Sequence, residues 1–347
     1  MNVKKDVIEA LKKVPKTEIH LHIEAVTTAS TVWKLIKKHK LNIDGVTTLK
    51  DLEKKFNVNS LEGFIDLFIN VVQKSFKEED DFNLIMNDLY DYLKNNNIVY
   101  AEVFLAPTTF LKNGLSFDKI IDILQNRADE IEEKSGIDIK FLIDVSRGFG
   151  LDNAMKNLNL TLRHKTERVI GIGLGGAEKM GKAQEFVTVF DKAKEAGLRV
   201  VAHAGEDDDY TSVDSAVNIL GAERIGHGIS AMESEEAMDN LKKKQIPLEI
   251  CPTSNLFTRA YVTDIHKHPV KLFYDKGLFV TINSDDPTLF GSTLLEEYGL
   301  LVVNNIFSRR EIGQLVLNNL KATFMEQSKK DSLEIKIRET LNSIGYL

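Results

Sequence analysis

The chain has 347 residues, 43% of them hydrophobic, so it can bury a substantial core, and we expect one domain over residues 1–347. A formal net charge of -7 provides no basic excess to neutralise phosphates, which argues against nucleic acid and favours a small-molecule substrate. A single cysteine excludes an intrachain disulfide, and no apolar run suits a signal peptide or a transmembrane helix, so we expect a cytoplasmic protein that does not bind membranes.

Eight short segments are rich in β-branched residues and are each followed by a polar or glycine-containing turn, which predicts β-strands. They cover residues 17–23, 98–105, 139–145, 169–174, 198–202, 224–228, 247–250 and 278–282. Most of the intervals between them have apolar residues at helical spacing, and strands that alternate with helices indicate a parallel sheet. Eight such units predict an α/β fold, the closed (β/α)8 TIM barrel, whose active sites lie at the carboxyl ends of the strands.

The interval between the first two predicted strands is too long for a single crossover helix. Residues 30–97 predict several helices inserted after the first strand, and residues 308–347 predict closing helices at the C-terminus. In the insertion, Leu61, Phe64, Ile65 and Phe68 form an apolar stripe at helical spacing, a pattern that most often packs into a core. The alternative is a lid over the barrel mouth, which makes Leu61, Phe64 and Phe68 candidate substrate-binding residues.

Four groups of metal-ligating or acid/base residues follow predicted strands. They are His20-Leu-His22, His203-Ala-Gly-Glu206, Gly226-His227-Gly228 and Ser284-Asp285-Asp286-Pro287. Residues two apart on a strand point to the same face, so we expect His20 and His22 to project together into the barrel. With His203 and Asp285 they make a three-histidine, one-carboxylate set, which suits a zinc-like ion and leaves a coordination position for water.

Two further residues at these strand ends are candidates for proton transfer. Glu206, three residues past His203, is placed to give a proton to a substrate, although a solvated loop acid would have the same sequence context. His227 lies between two glycines that permit close approach, which favours a function over an ordinary buried histidine. The remaining histidines, His39, His164, His266 and His268, fall in helical or loop segments without a ligand pattern.

These residues resemble the adenosine deaminase family of the amidohydrolase superfamily, and the resemblance covers nearly the whole chain. The matching motifs are Lys16-Thr-Glu-Ile-His-Leu-His22, His203-Ala-Gly-Glu206, Ile225-Gly-His-Gly228, Cys251-Pro-Thr-Ser-Asn255 and Ser284-Asp-Asp-Pro287. The zinc ligands that the resemblance implies, for one ion per subunit, are His20, His22, His203 and Asp285. It also implies that Glu206 passes a proton to the purine N1 and that His227 orients and deprotonates the attacking water. Asp286 would bond N7, and the amide of Gly176 would meet N3.

The implied reaction is hydrolytic deamination of adenosine or a close 6-aminopurine nucleoside, which gives an inosine-type product and ammonia. The alternative substrates are other adenine derivatives, namely cyclic AMP, aminodeoxyfutalosine, methylthioadenosine and adenine. Hydrolysis of a different bond in the same metal barrel fits less well, because Glu206 and Asp286 suit a purine. A purine-binding protein without activity would be expected to lack a ligand or the acid, and none is missing.

Departures from the family pattern concern the substrate and spare the metal and proton-transfer residues. Glu24-Ala25 follows the second histidine, where nucleoside enzymes usually carry Asp-Gly and the related adenine deaminases Glu-Gly, so Glu24 is a candidate substrate contact on the N9 side. Phe104 replaces an arginine that is common in adenosine deaminases. Arg147 and Arg259 follow the third and seventh strands and are either ordinary surface or ion-paired arginines or contacts for a substrate phosphate or carboxylate.

Overall fold

The computed structural model describes residues 3–58, 63–64, 66–258 and 260–347. Eight parallel strands follow one another in chain order around one sheet. They are β1 (Lys16–His22), β2 (Ile98–Leu105), β3 (Asp138–Asp144), β4 (Val169–Leu174), β5 (Arg199–Ala204), β6 (Arg224–His227), β7 (Leu248–Ile250) and β8 (Val280–Ile282). An isolated parallel bridge between Leu21 and Asp285 joins the end of β8 to β1. The predicted (β/α)8 barrel is confirmed, and each predicted strand overlaps an observed one.

Helices surround the barrel and occupy both ends of the chain. The α-helices in the described ranges are Val3–Leu11, Ala29–His39, Leu49–Phe56, Phe82–Asn95, Thr108–Lys112, Phe117–Ser135, Gly150–Arg163, Val187–Glu195, Tyr210–Ser215, Glu235–Lys244, Pro252–Thr258, Val270–Lys276, Pro287–Phe290, Leu294–Val303, Arg309–Ala322 and Gln327–Ser343. Two segments in the same ranges, Asp66–Gln73 and Ala216–Leu220, are π-helical. None of the described helices is both long enough and apolar enough to cross a membrane.

The described residues between β1 and β2 form several helical segments, as the sequence predicts for residues 30–97. The helix Leu49–Phe56 begins with a capping box, in which the side chains of Thr48 and Asp51 satisfy each other's backbone amides. Of the predicted apolar stripe, Leu61 and Ile65 lie outside the described residues. The predicted C-terminal helices are also present: Arg309–Ala322 packs against β1 and β8, and Gln327–Ser343 packs against Arg309–Ala322.

Side chains complete the seam between β8 and β1, where the backbone pairing is limited to one bridge. Asn319, on the helix Arg309–Ala322, accepts a hydrogen bond from the amide of Ile282 at 2.9 Å and donates to the carbonyl of Ile282 at 2.6 Å. Asn283 accepts from the amide of Ile19 at 3.2 Å. These bonds satisfy backbone groups that an adjacent strand would otherwise pair, and they fix β8 beside the histidines of β1.

A buried ion-pair network crosses the interior of the barrel. The Arg224 guanidinium on β6 lies 2.5 Å from Glu102 of β2 and 2.5 Å from Glu249 of β7, and all three side chains are at most 1% exposed. The ring of Phe324 covers the guanidinium at 3.9 Å. Removing one member of such a group would leave an unpaired buried charge, a loss of about 3 to 5 kcal/mol in comparable cases.

Candidate active site

The predicted metal ligands converge at the carboxyl end of the barrel. Asp285 Oδ1 lies 3.4 Å from His20 Nε2 and 3.3 Å from His22 Nε2, and His22 Nε2 lies 3.3 Å from His203 Nε2. Ligand atoms of His20, His203, His227 and Asp285 all lie within 4.8 Å of one another. The buried Nε2 of His20 has no hydrogen-bond partner among the described residues. A buried nitrogen without a partner, facing other imidazoles and a carboxylate, fits a bound metal ion.

Electrostatics favours the ligand forms of two of these groups. Burial lowers the pKa of His203 well below its usual value, and the neighbouring imidazoles add to the shift, so the ring is neutral. Burial opposes ionisation of Asp285, but the imidazoles of His20 and His22 close to its carboxylate hold its pKa well below the usual range. Metal binding requires neutral imidazole and ionised carboxylate.

The backbone is strained at two residues of the site. His227 has a φ of 61° and Asp285 a φ of 65°, in the left-handed region that non-glycine residues rarely adopt. Such a conformation costs on the order of 1 to 3 kcal/mol and persists where surrounding contacts enforce it. At Asp285 those contacts are its amide donating to the carbonyl of His20 and its carbonyl accepting from the amide of His22, each at 3.1 Å.

Glu249 orients His20 and was not identified from the sequence. His20 Nδ1 lies 2.6 Å from Glu249 Oε2, so the ring donates from Nδ1 and leaves the lone pair of Nε2 for a metal. Burial opposes ionisation of Glu249, but Arg224 and His20 together lower its pKa. Gly226 permits this position of the ring, because a Cβ at that residue would lie 2.7 Å from His20 Cε1. The signal in the sequence is a glutamate within a buried strand.

Glu206 lies beside the predicted metal centre, and its Oε2 is 3.4 Å from His227 Nε2. Its side chain is 24% exposed, which leaves room for contact with a ligand. Burial raises the pKa of Glu206 well above its usual value, and the nearby carboxylates of Asp285, Glu178 and Asp207 raise it further. A protonated carboxyl group at this place can act as a proton donor.

A second carboxylate, Glu178, organises the loop that carries Glu206. Its oxygens accept hydrogen bonds from the amides of Gly205 at 2.9 Å, Glu206 at 2.7 Å and Asp207 at 3.0 Å, and also from the hydroxyl of Ser212. Burial opposes its ionisation, but these bonds lower its pKa below the usual value. No sequence pattern assigned this role, since the contacts join the loops after β4 and β5.

The predicted base contacts lie on loops at the same end of the barrel. Asp286, at the start of the helix Pro287–Phe290, is 7% exposed, and burial followed by repulsion from Asp285 raises its pKa to about 8. Gly176 follows β4 and has a φ of 92°, a conformation that favours glycine. The carboxylate of Asp144 steadies this loop by accepting from the amide of Gly175 at 3.0 Å.

Glu24 and Phe104, which depart from the family pattern, are both buried near the histidines. Glu24 Oε1 accepts a hydrogen bond from the amide of Ala106 at 2.9 Å, while Oε2 has no partner among the described residues. Burial raises the pKa of Glu24 to about 7. The ring of Phe104 stacks on His22, with centroids 5.3 Å apart, and lies 5.1 Å from His20. Phe104 therefore packs against the ligands as an apolar wall.

Arg147 is a buried residue and not the surface arginine that the sequence also allowed. It is 2% exposed, and its guanidinium donates to the carbonyls of Gly181 at 3.0 Å, Leu174 at 3.4 Å and His203. These bonds tie the ends of β4 and β5 together, and contact of Arg147 with a substrate anion stays a prediction. Arg259 lies outside the described residues.

Phe64 and Phe68 belong to an aromatic cluster at the barrel mouth. The Phe64 ring lies 4.8 Å from that of Phe290, 5.8 Å from Phe68 and 6.3 Å from Phe257. Phe257 and Phe290 lie on the helices that follow β7 and β8, so the inserted segment packs over the strand ends that carry the site. Contact of Phe64 and Phe68 with a ligand stays a prediction, and Leu61, the third residue proposed for it, lies outside the described residues.

The model of one protein family, adenosine deaminase, matches residues 15–340. The chain belongs to this family. It is 31% identical over 324 residues to the adenine deaminase of Marinomonas sp., an alignment that covers 93% of this chain and 96% of that protein. It is also 31% identical over 335 residues to the aminodeoxyfutalosine deaminase of Streptomyces avermitilis, covering 96% of this chain and 93% of the relative.

A solved structure has the same fold. The adenine deaminase from Arthrobacter aurescens superposes with a TM-score of 0.89 at 28% identity, covering 95% of this chain and 99% of that one. The chain is therefore a hydrolytic deaminase of the adenosine deaminase family. This agrees with the reaction that the motifs imply.

Proposed function

We propose that this deaminase hydrolyses the C6 amino group of a purine with the help of one zinc ion. The proposed ligands are His20, His22, His203 and Asp285. One observation carries the proposal: the unsatisfied Nε2 of buried His20 faces the other ligands, and Glu206 Oε2 lies 3.4 Å from His227 beside the same cluster. Zinc in such a site would lower the pKa of a bound water and supply a nucleophile near neutral pH.

The side chains around the ion bind the purine, supply a proton and position the attacking oxygen. Glu206 gives a proton to the purine N1, which makes C6 electrophilic. Asp286 bonds N7, and the amide of Gly176 meets N3, so the ring is held with C6 toward the metal centre. His227, between Glu206 and Asp285, holds the attacking oxygen. The aromatic cluster that includes Phe64 and Phe68 shields this chemistry from bulk water.

Among adenine compounds we propose free adenine as the first candidate. Glu24 Oε2 is buried and lacks a partner, and the N9–H of the free base is a donor that could satisfy it. The adenine deaminases among its relatives support the same choice. Adenosine, which the sequence motifs favour, is the second candidate, because a ribose hydroxyl could also donate to Glu24.

Ammonia release by zinc-loaded protein tests the proposal. The substrates are adenine, adenosine, deoxyadenosine, methylthioadenosine, cyclic AMP and aminodeoxyfutalosine, compared by kcat/KM. We expect turnover of at least one of them, with adenine highest. Absence of ammonia from the whole panel, with one zinc bound per chain, would refute the proposal, and a higher kcat/KM for an N9-substituted compound would refute only the choice of adenine.

Glu24→Gln separates the two candidates further. Its carbonyl can still accept from the amide of Ala106, which leaves an NH2 group facing the ligand. This NH2 group and the N9–H of adenine are both donors and would face each other without an acceptor. The value of kcat/KM for adenine should therefore fall about 10-fold or more, which is the cost of leaving a buried donor without a hydrogen bond. For compounds substituted at N9, which lack this N–H, the fall in kcat/KM should be smaller. Glu233→Gln, at an exposed position at the end of the short 3-10 helix Ile229–Glu233, serves as the control. Equal losses for all substrates would contradict the proposed contact.

A further inference from the structure

A chain of hydrogen bonds leads from the backbone to His227. The amide of Val270 donates to His268 Nδ1 at 3.1 Å, and His268 Nε2 lies 3.2 Å from Asn255 Oδ1. At the other end of the amide group, Asn255 Nδ2 lies 3.1 Å from His227 Nδ1. Asn255 is fully buried and His268 is 5% exposed, so bulk water does not compete for these bonds.

The donor at the start of this chain fixes the direction of every bond in it. A backbone amide can only donate, so His268 Nδ1 is the acceptor and carries no proton. Burial lowers the pKa of His268 to about 3, so its single proton sits on Nε2 and is donated to Asn255 Oδ1. The Asn255 amide is thereby oriented with its NH2 group toward His227, and His227 Nδ1 must accept.

We propose that Asn255 and His268 are positioning residues that hold neutral His227 in the tautomer with its proton on Nε2. That nitrogen faces the site, 3.4 Å from Glu206 Oε2 and 3.9 Å from Asp285 Oδ2, and the ionised Asp285 carboxylate on that side is an acceptor. In this tautomer His227 presents an N–H donor to the attacking oxygen and has no lone pair there with which to remove a proton. The family resemblance alone implied the opposite role, deprotonation of the water.

The inference rests on the proposed function only in its kinetic consequence, because the tautomer can be measured directly. Zinc-loaded protein labelled with ¹⁵N in its histidines gives NMR signals that distinguish a protonated from an unprotonated ring nitrogen. The His227→Gln variant identifies the signals that belong to His227. We expect His227 Nδ1 without a proton and Nε2 with one. A proton on Nδ1 would overturn the proposal, whether or not the protein deaminates any compound tested.

Asn255→Asp reverses the direction of the hydrogen bond between residue 255 and His227 Nδ1, and the side chain keeps nearly the same shape. A carboxylate can only accept, so His227 must then donate from Nδ1. We expect the NMR pattern of His227 to reverse and kcat to fall about 10²-fold, with KM and zinc content nearly unchanged. Asn218→Asp, on the surface, is the charge control. An unchanged kcat together with a reversed tautomer would show that the tautomer does not matter for turnover and would overturn the positioning role.

His268→Phe provides a second variant in case a buried aspartate prevents folding. This substitution removes the N–H group that orients Asn255, so the side-chain amide of Asn255 can rotate. We expect both tautomers of His227 in the NMR spectra and a fall in kcat smaller than that of Asn255→Asp. A single, wild-type tautomer in this variant would contradict the proposed relay.

Discussion

Glu206 lies next to several groups that disfavour its ionised form. Burial raises its pKa, and the carboxylates of Asp285, Glu178 and Asp207 act in the same direction. It is three residues from the ligand His203, so it stands beside the proposed metal centre without belonging to the ligand set. Asp208, two residues further along this loop, instead pairs with Lys182, which lowers its pKa, and this difference in environment makes Glu206 the candidate acid.

We expect Glu206→Gln to reduce kcat by about 10²-fold or more, because the amide cannot give a proton to the purine N1. Zinc content should stay near that of the wild type, since Glu206 is not a proposed ligand. Steady-state kinetics and metal analysis of the same preparations measure both. Asp208→Asn, in the same loop and paired with Lys182, is the matched control. A kcat equal to that of the wild type would remove Glu206 from the mechanism.

Site residues could be predicted where a local spacing pattern in the sequence identifies them. Those whose role depends on a contact with a segment distant in sequence were missed. Two histidines on one strand, and acids directly after β5 and β8, can be recognised from spacing alone. Glu249 acts on His20 across the barrel, and Glu178 acts on Glu206 from another loop. These partners are determined by which strands become neighbours, and local spacing carries no such information.

Loops after β4 and β5 form one unit through Glu178. Its carboxylate accepts from three successive amides, those of residues 205 to 207, and Asp207 returns a bond by accepting from the amide of Glu178 at 3.0 Å. Arg147 adds a connection from the loop after β3 to the ends of β4 and β5. The position of Glu206 therefore depends on contacts among three loops, although each loop is short.

Glu178→Ala should lower kcat by about 10²-fold, because loss of the acceptor lets Glu206 move and a displacement of about 1 Å can have that effect on catalysis. Zinc content should be retained, since His203 lies on β5 and is held by the neighbouring strands. Ser212→Ala is the control, because it removes one contact of Glu178 and keeps the three amide bonds. If both variants lose the same activity, the amide bonds do not position Glu206.

The position of every strand was predicted from the sequence, but the exact ends of the strands were not. The β-branched runs predicted all eight strands, but the last was expected over residues 278–282 and spans only Val280–Ile282. This last strand, β8, pairs with β7 on one side and lies beside β1 on the other. Side chains of Asn283 and Asn319 take the place of a full ladder between β8 and β1. An asparagine on a helix that replaces strand pairing has no local sequence signature.

The barrel also buries charge at the end opposite the active site. Lys16 begins β1 and is fully buried, and its ammonium group donates to the carbonyls of Leu11 at 2.7 Å and Val14 at 2.6 Å. Both acceptors lie at or just beyond the C-terminus of the helix Val3–Leu11, where a cation is favourable. Burial nevertheless lowers the pKa of Lys16 to about 7. The position of β1, which carries two proposed ligands, is thus linked to a titratable group at the opposite end of the same strand.

The pH dependence of stability follows from this shift. An unfolded lysine has a pKa of about 10.4, so between about pH 7 and pH 10.4 the unfolded chain binds more protons than the folded one. The free energy of unfolding should therefore rise with pH in this window, by at most about 1.4 kcal/mol per pH unit from Lys16. Below pH 7 both states are protonated, and the contribution should be constant.

Lys16→Met removes the titrating group while keeping an unbranched side chain. We expect the difference in unfolding free energy, wild type minus variant, to be flat below about pH 7 and to rise from there toward pH 10, as measured by urea unfolding of both proteins. Lys12→Met, at an exposed position in the turn after the first helix, should give a difference that does not change with pH. If the Lys16→Met curve runs parallel to that of the wild type across the window, Lys16 keeps its charge in the folded protein and its carbonyl partners compensate for burial.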